Sequence, residues 1–550
     1  MRCRNWLMTL FTVFSMMAAP VLAESLPPIR QVISFEETLS NVGTYRLRIA
    51  ANLGLNFAQQ VTSHYGQLPL PYDCMDRTEV AFLGRHATTV QNDLNYTERA
   101  NIVNAGALML GMTPSVAVTT VTYGTVEQRL NSAIDRSLSE ARIVGAVVIV
   151  IHNGKVIYHR AAGYLDREAR MSMPEDAIFR LASSSKAITS AAAMALIDQD
   201  RLRLDDPVTK WLPQFSPKAP DGSTPPITVR ELLTHTSGLS YPFWETTKGR
   251  YRRAKVSSGL DQPGLGMTEE LRRIKTAGLM FVPGTDWRYS LSIDVLGAVI
   301  EKASHKSLPN AIRELITTPL HMSDTGFAVT DVRRLAVPYI NANPTPKRMA
   351  ELQEVNIGDD VIVTFAPSRT FNTASFPSGG AGMVGTAKDF ARLLEALRTG
   401  GAPIVKPATV QLMLANQVGA FKILSGQGWG FGFGAAVVTD ASAANTPLPI
   451  GTWSWSGVYG TSWFMDSVNK LTVVAFTNTT PEGDSGPFAM AIRHAIYRPV
   501  SEANPGSRVI RESQRPNRTH EHFSAPRSRD TMWPIHSTYA TRSMSLDAKP

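Results

Sequence analysis

The chain is 550 residues long, 43% hydrophobic and 18% charged, with a formal net charge of +9. That size and apolar content suit a globular protein with a large core and exclude a fibrous or low-complexity chain. Arg2 and Arg4 open the sequence, and residues 501–550 hold eight basic against five acidic side chains, which leaves too small an excess between them to expect a nucleic-acid partner.

Residues 1–23 read as an export signal. Arg2 and Arg4 form a positive start, Trp6 to Val21 is apolar but interrupted by Pro20, and Val21-Leu22-Ala23 is a small-residue cleavage site. The mature chain is expected to begin at Glu24 and to be periplasmic or secreted. It should keep no membrane span after cleavage, because no other apolar run is long enough. Cys3 leaves with the signal, so Cys74 stands alone and no internal disulfide is expected. Residues 24–124 carry no motif. Tyr45 to Ile49 alternates like a strand and Thr97 to Leu110 has the pattern of a capped helix, and the segment is read as an N-terminal extension of unassigned role.

The pattern sharpens at Thr125. Thr125 and Gln128 form a capping box, and Val126, Leu130, Ile134 and Leu138 follow at helical spacing. Gly145 to Ile151 is a β-branched run, Asn153-Gly154 is a type I′ turn signal, and Val156 to Tyr158 returns as the second arm of a hairpin. Residues 182–422 are mostly helical patterning broken by Pro and Gly loops. Strands reappear at Trp429 to Thr439, Thr452 to Trp455, Ser462 to Met465 and Leu471 to Thr477, and Phe488 to Ile496 reads as a closing helix. The expected fold is α+β over residues 125–500: an antiparallel sheet built from both chain ends and flanked by helices, with an all-helical insertion domain. Residues 501–550 are polar and rich in Arg, Ser and Pro, and read as a disordered basic tail.

The residues suited to chemistry are serines. Nucleophilic serine catalysis needs a hydroxyl, a nearby base and two donors for the oxyanion. Gly-x-Ser-x-Gly does not occur, which argues against the α/β-hydrolase solution. Ser-x-x-Lys at a helix start is the other solution, because three residues bring the lysine onto the serine's face. That spacing should arise by chance roughly twice in a chain this long, and it occurs twice. Ser467 and Lys470 sit in a short polar turn between strands. Ser183 and Lys186 open the alanine-rich apolar helix Ala187 to Ile197, where desolvation would lower the lysine's pKa and let it accept a proton. The histidines form no ligand-spaced group with Cys, Asp or Glu, and neither a metal nor another cofactor is expected.

Context separates the two pairs. Phe179-Arg180-Leu181-Ala182-Ser183-Ser184-Ser185-Lys186 resembles the first motif of the serine β-lactamase, penicillin-binding-protein and esterase superfamily. Leu204-Asp205-Asp206-Pro207 with Trp211-Leu212-Pro213, Leu232 to Leu239, Pro283-Gly284-Thr285 with Tyr289-Ser290-Leu291, Pro377 to Met383 and Trp455-Ser456-Gly457 follow in the superfamily's order. The resemblance implies Ser183 as nucleophile, with Lys186 and Tyr289 sharing the base role. Tyr289 would have its phenol beside Lys186 and a lowered pKa. The resemblance also implies an oxyanion site at the amides of Ser183 and Val458, next to Gly457 and Trp455. It gives His235 a structural place, at the loop before a helix, rather than a part in a triad.

Two departures bear on substrate. Trp455 stands where β-lactam and peptide enzymes of the superfamily present a Lys or His to hold a carboxylate, and Leu291 stands where Asn is common. Both changes suit a small, apolar ester or acyl substrate and the carboxylesterase branch. The alternatives are a β-lactamase or D,D-peptidase with a neighbouring arginine supplying the charge, and a catalytically silent binding protein. Nothing in the sequence sets the oligomeric state.

Overall fold

The computed structural model describes residues 125–358 and 361–497. The signal segment, the extension 24–124 with its candidate strand and helix and Cys74, and the tail 501–550 lie outside the described residues.

Helix α1 (Val126–Ser139) begins at the capping box, with Gln128 N–H donating to Thr125 Oγ1 and Thr125 N–H donating to Gln128 Oε1. It leads into β1 (Gly145–His152), β2 (Lys155–Asp166) and β3 (Met171–Ser172). Asn153 and Gly154 both take positive φ, 51° and 77°, as the tight turn between β1 and β2 requires. The late strands are β4 (Trp429–Phe431), β5 (Ala436–Val438), β6 (Trp453–Gly457), β7 (Thr461–Asp466) and β8 (Leu471–Thr477). They join one eight-stranded sheet in the order β4-β5-β6-β7-β8-β1-β2-β3, with every neighbouring pair antiparallel. The first and last thirds of the described chain thus meet where β1 pairs with β8, Val147 opposite Phe476 and Ile149 opposite Val474.

Both faces of that sheet are covered. Ala146, Val148 and Val150 of β1 pack with Phe464, Val473 and Ala475 under α1 and the closing helix α6 (Pro487–Ile496), which contributes Phe488 and Ile492. Val147, Ile149 and Ile151 face the larger core. That core holds α2 (Ser185–Asp198), α3 (Val229–Thr234), α4 (Ser292–Ser304) and α5 (Ala387–Arg398). A strand buried on two faces reads as a continuous apolar run, which is why Gly145 to Ile151 shows no polar alternation.

Two details differ from expectation. The stretch Trp429 to Thr439 is two strands, because Gly434 (φ 99°) turns the chain against Ser190 of α2, where any Cβ would collide. The insertion is not purely helical: Gln353–Asn356 and Ile362–Phe365 form an antiparallel pair within it, and its strand Val384–Thr386 pairs with Ile178–Arg180, which precedes it. These ladders are three or four residues long, too short to print a period on the sequence. Among the described residues no helix is long and apolar enough to cross a membrane.

Candidate active site

Ser183 lies in a 3-10 turn, Ala182–Ser184, that runs directly into α2. Ala182 takes φ 44°, a left-handed conformation that a non-glycine residue adopts at a cost, on the peptide preceding the nucleophile. The turn is held from the sheet. Thr461 Oγ1 donates to Leu181 O at 3.1 Å, and Thr461 and Ser184 share a hydroxyl hydrogen bond at 2.9 Å. Gly457, at the end of β6, passes so close to Leu181 O that a Cβ there would lie well inside van der Waals contact. That contact brings the next residue, Val458, into the wall of the cleft that contains Ser183.

Lys186 is completely buried. Its Nζ donates to Ser183 Oγ (3.2 Å), Tyr241 OH (3.1 Å) and Gly380 O (2.8 Å). Burial pushes this ammonium from 10.5 down to about 7, against the opposing pull of Asp294. An amine of that kind is available as a proton acceptor near neutrality.

Tyr289 comes to the same place, with its ring 4.6 Å from Lys186 Nζ and its hydroxyl facing Ser183 and Trp455, whose Nε1 donates to it at 3.4 Å. The lysine meets the face of this ring. The phenol that accepts its hydrogen bond belongs to Tyr241, which the motifs did not single out. The expected lowering of the Tyr289 pKa is not found: burial pushes it up, with no cation bonded to its oxygen to offset desolvation. Tyr241 is raised for the same reason. Tyr241 follows closely on the Thr236-Ser237-Gly238 segment and opens the aromatic run Tyr241-Pro242-Phe243-Trp244, which was the available signal.

His235 ends α3 in a left-handed conformation (φ 60°), so it caps a helix instead of preceding one. It is fully buried against the rings of Trp287, Tyr289 and Phe431, and Ser290 N–H donates to its Nδ1. Burial and Lys186 hold its pKa well below the usual value, so the ring is neutral. The segment it begins is a bracket. His235 O, Thr236 O and Gly238 O accept backbone bonds from Arg288, Gly284 and Met280, which fixes the loop that delivers Tyr289. Leu291 is wholly buried in the core beside it and lies outside the cleft wall. Ser467 and Lys470 are exposed in the β7–β8 turn.

The cleft encloses about 380 Å³. Phe243, Trp244, Leu260, Trp429, Trp455 and Val458 give it apolar walls, and its charged side chains are Asp484 and Arg493. Ser456 Oγ donates to Asp484. Arg493, from α6, bonds Ser454 Oγ at 3.4 Å and Met490 Sδ at 3.9 Å and has no carboxylate within ion-pair distance among the described residues. Among those residues no group of three or more His, Cys, Asp or Glu side chains could hold a metal.

A serine opening a helix beneath an eight-stranded antiparallel sheet, with a desolvated lysine one turn on, defines a serine hydrolase of the acyl-enzyme type. A family model described as Beta-lactamase matches residues 130–496, and the chain belongs to that family. Esterase EstB of Burkholderia gladioli is 46% identical over 372 residues, covering 67% of this chain and 94% of its own. The solved structure of EstCE1, a hydrolase with promiscuous acyltransferase activity, is similar with a TM-score of 0.65 and 42% identity, over 67% of this chain and 98% of its own. Unliganded Simvastatin Synthase (LovD) from Aspergillus terreus, at 21% identity and a TM-score of 0.55 over 68% of this chain and 98% of its own, shares the fold.

Proposed function

We propose that the protein hydrolyses small carboxylic esters through an acyl-enzyme on Ser183. The observation that carries this reading is the Lys186 amine, buried and depressed to about 7, in hydrogen-bond contact with Ser183 Oγ. Lys186 takes the Ser183 proton as the hydroxyl attacks the ester carbonyl. Tyr241 orients the lysine, and Tyr289, a neutral phenol facing Ser183, is placed to pass a proton to the departing alkoxide. The backbone N–H groups of Ser183 and Val458 hold the oxyanion, and Gly457 permits the approach that sets their spacing. Water then releases the acid, and an alcohol in its place would receive the acyl group.

The ester reading draws support from the two most similar relatives reported above, from Trp455 in place of a cation, and from the apolar cleft walls. One observation favours a second reading. Arg493 places in the cleft a guanidinium that makes no close ion pair, its charge met only at longer range by Asp484, which suits a substrate bearing a carboxylate, as β-lactams and peptide termini do. Parallel turnover of p-nitrophenyl butyrate and a chromogenic cephalosporin, on wild type, Ser183→Ala and Arg493→Leu, decides between them. The ester reading predicts butyrate turnover that Ser183→Ala abolishes and Arg493→Leu leaves near wild type. Cephalosporin turnover without ester hydrolysis, lost in Arg493→Leu, would establish the second. For localisation, the segment 1–23 supports export; cell fractionation of the full chain, with cleavage after Ala23 read by N-terminal sequencing, tests it.

A further inference from the structure

The Ser378-Gly379-Gly380-Ala381-Gly382 segment is a ribbon threaded between α2 and α4. From α2, Thr189 Oγ1 donates to Gly379 O at 2.7 Å, Lys186 Nζ donates to Gly380 O, and Ser185 Oγ accepts from Met383 N–H. From α4, Asp294 accepts from Gly380 N–H at 3.2 Å and from Ser378 Oγ, both at Oδ1. The fit is tight enough to exclude side chains at Gly379 and Gly380. A Cβ on Gly379 would lie 2.8 Å from Ile293 O, and one on Gly380 would lie 2.6 Å from Asp294 Oδ2. The peptide between Gly380 and Ala381 therefore carries the lysine on its carbonyl, while its amide, Ala381 N–H, donates at 3.0 Å to Ser378 Oγ, the hydroxyl that in turn donates to Asp294.

Asp294 is fully buried, and its Oδ2 has no hydrogen-bond partner among the described residues. A buried carboxylate with an unused oxygen is costly unless its charge interacts with something. The titratable groups facing Lys186 are His235 at the end of α3, Tyr241, Tyr289 and Asp294. His235 is neutral and both phenols are held protonated by burial, which leaves Asp294 as the carboxylate opposite the lysine. Asp294 in turn faces Lys186, Arg369 of the turn Pro367–Phe371, and Glu270 of the helix Met267–Ala277. Glu270 is itself buried and raised to about 8, so it is mostly uncharged at neutrality and does not oppose the ionisation of Asp294 strongly.

We propose that Asp294 is a positioning residue for the reaction: through Ser378 and the Gly380–Ala381 peptide it seats Lys186 against Ser183, and its negative charge sets how readily that lysine keeps its proton. The inference rests on the assignment of Ser183 and Lys186 made above and extends it to a residue that never touches substrate. Polarisation acts in the same sense as charge. An amide whose N–H bonds a hydroxyl that itself donates to a carboxylate, as Ala381 N–H does through Ser378, has a more negative carbonyl oxygen, which binds an ammonium more strongly than an amine.

The isosteric change Asp294→Asn keeps an oxygen for Gly380 N–H and Ser378 and removes only the charge. Two readouts are needed: kcat/KM for p-nitrophenyl butyrate against pH, and the rate at which a fluorophosphonate probe labels Ser183 against pH. Loss of the negative charge lowers the lysine's pKa, so both acid limbs should move to lower pH, by about one unit. Plateau kcat should fall about tenfold, because a weaker base accepts the proton less well, with KM changed by less than about twofold. A lowered melting temperature with both limbs in their wild-type positions would show a packing role only and overturn the proposal. Should Asp294→Asn not fold, Ser378→Ala removes a donor that stabilises the carboxylate. Its limbs should move in the same direction by a smaller amount, and unmoved limbs would again overturn the idea. Wild-type protein that never labels at Ser183 would overturn the underlying assignment and this inference with it, whereas labelling with unmoved limbs overturns this inference alone.

Discussion

The depressed lysine makes a quantitative prediction for pH dependence. An ordinary lysine at 10.5 is uncharged in about one molecule in three thousand at pH 7, whereas Lys186 at about 7 is uncharged in about half. If the neutral amine is the base, kcat/KM should rise with pH through a single acid limb near 7 and then level off. At pH 5 the neutral fraction is about one per cent, so the rate should be about a hundredfold below its plateau. Tyr241 and Tyr289 are both raised by burial and bring no further gain in the alkaline range where the fold survives. The assay is initial-rate hydrolysis of p-nitrophenyl butyrate from pH 5 to 10 at constant ionic strength, with product read after an alkaline quench. A rate that keeps climbing beyond pH 9 would refute the argument, because it would mean that a phenolate or an unshifted lysine is the base. Stability moves with the same group. Between pH 7 and 10.5 the unfolded chain holds the proton that the folded chain has lost, so this lysine's penalty, on the order of 5 kcal/mol at neutral or lower pH, diminishes as pH rises through that window.

Tyr241→Phe removes the hydroxyl that accepts from Lys186 while keeping the ring stacked on Phe243, and should lower kcat about a hundredfold with little change in KM, checked by steady-state kinetics. Gly457→Ala forces a methyl group against Leu181 O, so the nucleophile turn and β6 must separate. It should lower stability by about 1–3 kcal/mol in a thermal melt and reduce kcat out of proportion to the folded fraction. Ser467→Ala, in the exposed turn that copies the Ser-x-x-Lys spacing, should leave the pH profile and kcat of wild type intact.

The parts of this protein that were legible in its sequence are those where a local pattern has a single physical reading. Thr125 and Gln128 announce α1 because a capping box satisfies two amides at once. Asn153-Gly154 marks the β1–β2 turn because both positions need positive φ. The apolar run after Ser183 marks α2 as buried, and that burial already implied a depressed lysine. The ordered motifs then separated Ser183 from Ser467, which spacing could not do.

The tertiary structure decided which groups those residues meet. Nothing local distinguishes Tyr241 from Tyr289 as the partner of the lysine. The choice depends on how the bracket His235 to Gly238 folds back onto residues 280–288, a pairing of segments about fifty positions apart. The same holds for Asp294, which reads as an ordinary residue on the first turn of α4 until the glycine ribbon, more than eighty positions later in the chain, is laid between it and α2. Arg493 arrives in the cleft from the last described helix for a similar reason: α6 packs on the outer face of the sheet, and its side chain reaches Ser454 of β6. Sequence patterns report periodicity and local capping, whose energies act over a few residues. Proton affinities depend on desolvation and on charges brought together from distant segments, and these exist only once the core has closed.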